Sequence, residues 1–279
     1  MPLELCLNLE TPHQFHYYNT GNKPEKLKRL FKKDNSTQYV IDNCILSRPC
    51  NLVKGLNRNF NLNLLDINLV EYLLKSTYGQ TKAIVEIAQN GQLLISEKIL
   101  TEFNNSQKIF EENYPFLLKH LEQTQNNKIK LKLAYRLIDE MDKLSSLAQN
   151  STFKNENLLD MMTKEFKKTP FYLQSITRHN KTKQISDSDL GIFLLASGQN
   201  TFSEDFSETK LITNDFDILH QGAPFIDGTL LKSPEILKPN NYVRKFGRFF
   251  YKDYFSLKQP KITEKKAQKI VQFHKSKLH

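Results

Sequence analysis

Cysteines and long apolar runs are scarce in this chain of 279 residues. Its three cysteines, Cys6, Cys44 and Cys50, are too few for a disulfide framework and lack the spacing of a zinc site. No run of 18 apolar residues occurs, so no membrane-spanning helix and no membrane partner are expected. The first ten residues also lack the charged and apolar regions of a signal peptide. These absences favour a protein of the reducing cytoplasm.

The charge of the chain is positive and unevenly distributed. Residues 229–279 contain thirteen basic and three acidic residues, which accounts for the whole formal net charge of +10. Within residues 242–255 the basic groups alternate with aromatic rings, a combination that neutralises phosphates and stacks on unpaired bases. This indicates a polyanionic partner, with nucleic acid, and single strands in particular, as the first candidate and an acidic membrane surface as the second. Packing of the rings onto the domain is an equally open alternative. The candidate contacts are Arg244, Lys245, Arg248, Lys252, Lys265, Lys266 and Lys269.

A strand that ends in an acid opens the predicted fold. Tyr39, Val40 and Ile41 combine aromatic and β-branched side chains, which favour a buried strand. Asp42 follows directly. Open α/β sheets keep their sites at the carboxyl ends of strands, so Asp42 is the first candidate.

A second strand is predicted at residues 93–95, and it is followed by a helix. Ser96 is suited to cap that helix, whose second turn would contain Glu102. Apolar spacing further predicts helices at 62–76 and 81–89, the second stopped by Asn90 and Gly91. Two helices separated by residues 123–127 are predicted within 107–149, and residues 156–178 are predicted to be helical with a break at Pro170.

Two later segments repeat the combination of an acid with a helix start or a strand end. Ser186 or Ser188 can cap a helix with Asp187 and Asp189 in its first turn, although the helix dipole alone also favours acids there. Residues 210–219 predict a short strand that ends in Thr213, Asn214 and Asp215.

Alternating strands and helices predict a parallel sheet, whose strands end at one edge. Asp42, Glu102, Asp189 and Asp215 are therefore expected to lie close together. Clustered carboxylates repel one another and raise each other's pKa values, a cost that a divalent cation removes. Oxygen ligands without histidine or cysteine suit Mg²⁺ or Mn²⁺, which can promote phosphodiester cleavage.

Four motifs in this order resemble those of the PIN-domain nucleases. They are Val40-Ile-Asp42-Asn-Cys-Ile-Leu46, Ile95-Ser-Glu-Lys-Ile-Leu-Thr-Glu102-Phe, Ser188-Asp189-Leu-Gly-Ile-Phe-Leu-Leu-Ala196 and Leu211-Ile-Thr-Asn-Asp215-Phe-Asp217. The resemblance implies that the four acids are catalytic and bind metal, with Thr213 beside them. Asp187 and Asp217 could bind metal through water or be surface acids. Where the family usually has a small residue and then Asn after the first Asp, this chain has Asn43 and Cys44, which leaves the role of Asn43 open.

The fold implied by the resemblance is a three-layer α/β/α sandwich on a central parallel sheet. The predicted organisation is an N-terminal extension at 1–36, a PIN-like domain at 37–228 with a helical insertion at about 107–180, and a basic C-terminal extension at 229–279. Asp139 and Glu140, within that insertion, are expected to be solvated.

The function implied is that of a metal-dependent endonuclease that prefers RNA. The main alternative is a non-catalytic module that binds nucleic acid or protein. Asp215-Phe-Asp217 also resembles the Asp-x-Asp motif of haloacid-dehalogenase-type phosphatases, in which the first Asp is a nucleophile. That motif normally opens its domain, whereas here it lies late in the chain. The sequence does not indicate an oligomeric state.

Overall fold

A computed structural model describes Phe31 and residues 36–60, 67–124, 127–167, 176–178, 181–183, 186–197, 206–214 and 235–237. The N-terminal extension, apart from Phe31 and Ser36, therefore lies outside the described residues, as do Asp215, Asp217 and the seven basic candidates of the C-terminal extension. Within the described ranges, no helix is both long enough and apolar enough to cross a membrane.

The fold is mixed α/β, as predicted, and is organised on a parallel sheet. Its strands are β1 (Thr37–Ile41), β2 (Leu93–Leu94), β5 (Glu208–Ile212) and β6 (Glu235–Leu237). They pair side by side in the order β2-β1-β5-β6, and each pairing is parallel. An antiparallel pair, β3 (Ile176–Arg178) and β4 (Lys181–Lys183), lies apart from this sheet.

The order of the strands reverses at β1. The chain passes from β1 to β2 on one side and later places β5 on the other side of β1. In open α/β sheets, ligands bind outside the carboxyl ends of the strands at such a reversal, which here lies beside β1 and β5. The predicted strand at residues 39–41 is confirmed as β1, and all five of its side chains are buried.

Seven helices occur in the described ranges. They are α1 (Asn43–Leu46), α2 (Arg48–Phe60), α3 (Ile67–Gln89), α4 (Glu97–Glu122), α5 (Lys128–Asn150), α6 (Glu156–Lys167) and α7 (Asp187–Ser197).

Helix α7 packs against both β1 and β5 and against α6. All of its residues from Leu190 to Ala196 are buried, so it has no polar face along that length. A helix that is apolar on all sides is stable only when it is enclosed, which explains its place against the centre of the sheet.

The chain divides into two compact units. The first comprises Met1–Leu46, Lys82–Asn104 and Lys143–Asn240, as far as these are described, and it contains the whole parallel sheet. In the second unit, the described residues are helical or helix-flanking, and their core side chains come from α2 to α5. These core side chains include Leu52, Leu56, Leu73, Leu74, Phe110, Leu117, Leu137 and Met141.

Several predicted helix boundaries are confirmed. Gly91 has a φ of 72°, the left-handed conformation that ends a helix, and its N–H donates to the carbonyl of Ala88 over 3.0 Å. Helices α4 and α5 are separated by residues 123–127, as the sequence predicts. The hydroxyl of Ser96 accepts a hydrogen bond from the N–H of Ile99 over 3.3 Å and so caps α4.

Other predictions about these segments are wrong. The predicted break between residues 76 and 81 does not exist, because α3 continues through Gly79. No helix starts at residue 107, since α4 begins at Glu97 and runs through it. Residues 176–178 form β3 rather than the end of a helix. Helix α2 and strand β6 were not predicted.

Candidate functional site

Asp42 is held by hydrogen bonds at the carboxyl end of β1. Its side chain is 5% exposed, and its Oδ2 accepts a hydrogen bond of 2.5 Å from the hydroxyl of Thr213. Its Oδ1 accepts one of 3.2 Å from the backbone N–H of Cys44. Both oxygens of this buried carboxylate therefore have a donor, which offsets the cost of removing it from water.

The register of the sheet produces this contact. Ile41 pairs with Ile212, so Asp42 and Thr213 are the first residues beyond two adjacent parallel strands. The N–H of Asp42 still donates to the carbonyl of Ile212 over 3.1 Å, which keeps the two chains together at this point. Asp42 also starts α1, because its carbonyl accepts from the N–H of Ile45 over 2.9 Å.

Cys44 joins α1 to the segment that follows β5. Its Sγ accepts a hydrogen bond of 3.3 Å from the N–H of Asn214 and lies 3.8 Å from the hydroxyl oxygen of Thr213. The thiol is partly exposed. Cys44 thus contributes to holding the residues that lead directly to Asp215.

Glu102 is connected to the start of α7. One of its carboxylate oxygens accepts a hydrogen bond of 3.0 Å from the hydroxyl of Ser188, which lies in the first turn of that helix. Glu102 itself is exposed and lies in the second turn of α4, as predicted. Ser188 was proposed from the sequence only as a possible cap, and its contact with Glu102 was not predicted.

Asp189 and Ser186 form a capping arrangement at the start of α7. The hydroxyl of Ser186 accepts from the N–H of Asp189 over 3.1 Å and donates to its Oδ2 over 2.7 Å. Of the two predicted caps, Ser186 is therefore the one that satisfies a free N–H of the first turn. Asp189 is half-buried.

Asp187 lies in the same turn but pairs with a lysine. Its carboxylate forms an ion pair with Lys167 at the end of α6, and its side chain is 56% exposed. This contact favours the interpretation of Asp187 as a surface acid over that of an indirect metal ligand.

Helix α6 also contacts the first turn of α4. Asp160 pairs with Lys98 over 2.7 Å, and this hydrogen bond raises the pKa of Lys98. Glu156 accepts from the N–H of Glu97 over 2.6 Å, while burial raises the pKa of Glu156. Contacts to α6 therefore hold the starts of both α4 and α7.

The structure thus joins the candidate residues in two pairs, Asp42 with Thr213 and Glu102 with Ser188. Within the described ranges, no three His, Cys, Asp or Glu side chains form a group that could hold a metal ion. Asp215, the fourth predicted acid, lies outside those ranges. Carboxylate oxygens are nevertheless the donors that Mg²⁺ and Mn²⁺ prefer, so the residue types fit these ions.

Asn43, Asp139 and Glu140 are the other residues for which the sequence makes a prediction. Asn43 is the first residue of α1 and is half-buried next to Asp42. The prediction that Glu140 is solvated is wrong, because its side chain is 8% exposed; Asp139, beside it, is exposed as expected. A charged residue can lie on the inner face of a helix when it has a partner there.

Comparison with protein-family models, with curated proteins and with solved structures finds no match to this chain. Its function is therefore inferred from its own residues and from the topology of its sheet.

Proposed function

We propose that the protein is a metal-dependent endonuclease of the PIN-like kind that cleaves phosphodiester bonds, with single-stranded RNA as the preferred substrate. The observation that carries the proposal is the hydrogen bond between Thr213 and Asp42 at the carboxyl ends of β1 and β5. This is the point where the strand order reverses, which is where open α/β sheets bind their ligands. Asp215 lies only two residues beyond Thr213 in the chain.

The three-layer sandwich is part of the same proposal. Parallel crossovers are almost always right-handed. The connection from β1 to β2 moves along the sheet in one direction, and the connection from β2 to β5 moves in the other. Right-handed crossovers in opposite directions place their helices on opposite faces of a sheet, which supports a helical layer on each face.

In the proposed site, Asp42, Glu102, Asp189 and Asp215 would hold Mg²⁺ or Mn²⁺. The ion would supply an activated water and neutralise charge on the leaving oxygen. Thr213 fixes the orientation of the Asp42 carboxylate, and Ser188 fixes that of Glu102. Both are hydrogen-bond donors to acids, so they orient the carboxylates without taking up ligand positions themselves.

The test is cleavage of a labelled single-stranded RNA by the purified protein with Mg²⁺ or Mn²⁺, and with a chelator. We expect cleavage with metal, none with the chelator, and none for Asp42→Asn. Asp139→Asn is the matched control, since the same change at an exposed acid on α5 should leave cleavage intact. Cleavage that persists both with the chelator and in Asp42→Asn contradicts the proposal.

Binding of RNA without cleavage under any metal would instead support the non-catalytic alternative. A cytoplasmic location is proposed together with this function, because three cysteines, too few for a disulfide framework, suit a reducing compartment.

A further inference from the structure

The first half of α5 exposes a row of basic side chains. Residues 123–138 contain four basic residues and no acidic one. Lys130 is buried, whereas Lys128, Lys132 and Arg136 are exposed. These three residues are spaced four apart on one helix, so they lie along one face over about 12 Å. We call Lys128, Lys132 and Arg136 the α5 basic stripe.

Local helix stability does not explain the stripe. Lys128, in the first turn of α5, opposes the helix dipole, and that turn contains no acid to compensate. Lys128 with Lys132, and Lys132 with Arg136, are like-charge pairs four residues apart, which destabilise a helix. In the described part of the chain, none of the three takes part in an ion pair. Features that oppose local stability are often functional.

Two large hydrophobic side chains flank the stripe. Ile129 is 61% exposed and Tyr135 is 49% exposed. Tyr135 lies three residues after Lys132 on α5, so its exposed ring lies beside the stripe. Cations that neutralise phosphates beside a ring that stacks on a base are the combination used to bind single-stranded nucleic acid.

We propose that the α5 basic stripe, together with Tyr135, binds single-stranded RNA. The choice of partner rests on the nuclease proposal, but the binding itself requires no metal and no catalysis. The surface belongs to the second compact unit. An anionic membrane surface also attracts basic residues, but the exposed ring beside the cations favours a ligand with bases.

The experiment measures binding of an unstructured oligouridylate to the full-length protein in chelator, over a range of salt concentrations. The stripe variant is Lys128→Gln with Lys132→Gln and Arg136→Gln. Its matched control is Lys75→Gln with Lys108→Gln and Lys164→Gln, which removes three exposed lysines that are scattered over α3, α4 and α6. Both variants lose the same net charge.

Each phosphate contact on a single strand contributes about 0.7 to the salt slope, so loss of the stripe should reduce the slope by about 2. We expect the stripe variant to bind at least about tenfold more weakly near 0.1 M salt, and the control to change little. Tyr135→Ala should weaken binding by about tenfold without changing the slope, because stacking is not ionic.

Folding is checked by circular dichroism and thermal unfolding. The stripe variant should be at least as stable as the wild type, because it removes two repulsive pairs. If the triple variant does not fold, RNA binding is measured on the single variants Lys132→Gln and Tyr135→Ala. Binding as strong as that of the wild type by both single variants overturns the proposal.

Equal weakening by the stripe variant and the scattered control also overturns it, since bulk charge would then explain the binding. Loss of binding to phosphatidylserine vesicles with unchanged RNA binding overturns it in favour of a membrane surface. A stripe variant that binds normally while Asp42→Asn stops cleavage rejects the stripe and keeps the nuclease. A stripe variant that binds RNA weakly, together with cleavage that persists in Asp42→Asn, keeps the stripe and rejects the nuclease.

Discussion

The hydroxyl of Thr213 donates a hydrogen bond of 2.5 Å to Oδ2 of Asp42 and joins the ends of two adjacent parallel strands. Both residues are buried, so water competes little for this contact. A hydrogen bond to a charged group in such surroundings is among the stronger ones in proteins. It therefore contributes to the stability of the sheet edge as well as to the orientation of the acid.

Thr213→Val tests this contribution, because valine keeps the shape of threonine and removes only the hydroxyl. We expect the free energy of unfolding to fall by about 1–3 kcal/mol, since the buried carboxyl group of Asp42 would lose one of its two donors. Urea unfolding at neutral pH measures the change. Cleavage activity, if the proposed function holds, should fall as well.

The control for this prediction lies on β5, the strand that Thr213 follows. Thr209 is also buried on β5, but its hydroxyl oxygen has no hydrogen-bond partner in the described part of the chain. Thr209→Val should therefore leave stability unchanged or raise it, because it removes an uncompensated buried polar atom. Equal losses in both variants would show that the hydrogen bond to Asp42 is not the cause.

The two serines at the start of α7 should differ in what they contribute. Ser186→Ala removes the cap and should cost about 1 kcal/mol of stability. Ser188→Ala removes only an exposed contact with Glu102, so we expect a smaller loss of stability and a larger loss of activity. Unfolding and cleavage measured on both variants separate these effects. Equal losses of stability and of activity in the two variants would contradict the separate roles.

Local patterns in the sequence were sufficient to predict the elements whose causes are local. The β-branched run of β1, the cap at Ser96 and the stop at Gly91 depend on neighbouring residues alone. The edge position of Asp42 beside Thr213 followed from parallel pairing, because strand ends then share one edge.

The remaining features depend on tertiary contacts. A single glycine costs a helix only about 1 kcal/mol, so packing carries α3 through Gly79. Burial of Glu140 is decided by its neighbours in the folded protein, not by its place in the sequence. Ser188 lies between two acids, and nothing in that pattern indicates a bond to Glu102, which is 86 residues away in the chain.

Glu156 predicts a pH dependence of stability. Burial raises its pKa above 4.5, although it accepts a hydrogen bond from the N–H of Glu97. The folded protein therefore binds this proton more tightly than the unfolded chain. Its contribution to stability is complete below pH 4.5 and is lost as the pH rises through the raised pKa.

Glu156→Gln keeps an oxygen acceptor for Glu97 and removes the charge. Relative to the wild type, this variant should become more stable as the pH rises from below 4.5 to 7. Urea unfolding at several pH values measures the difference, with Glu112→Gln as an exposed control. A difference in unfolding free energy between Glu156→Gln and the wild type that does not vary with pH would contradict the prediction.

The two described cysteines should react at very different rates. Burial raises the pKa of Cys50 to about 12, and its side chain is 2% exposed, whereas Cys44 is partly exposed. Since the thiolate is the reactive form, iodoacetamide at pH 8 should modify Cys44 in the folded protein and spare Cys50 until denaturant is added. Peptide mass spectrometry measures both sites. Modification of Cys50 at the rate of Cys44 without denaturant would contradict the burial.

Metal binding at Asp42 should appear as a gain in stability, whether or not a substrate has been found. A ligand present at 100 times its Kd stabilises the folded state by about 2.7 kcal/mol, because it binds that state alone. We therefore expect Mg²⁺ or Mn²⁺ to raise the Tm of the wild type and of Asp139→Asn, and to leave that of Asp42→Asn nearly unchanged. Each variant is compared with itself in chelator, so the effect of the substitution on the metal-free protein cancels. An equal rise in Asp42→Asn would place the ion elsewhere, and no rise in the wild type would count against a metal site at this edge of the sheet.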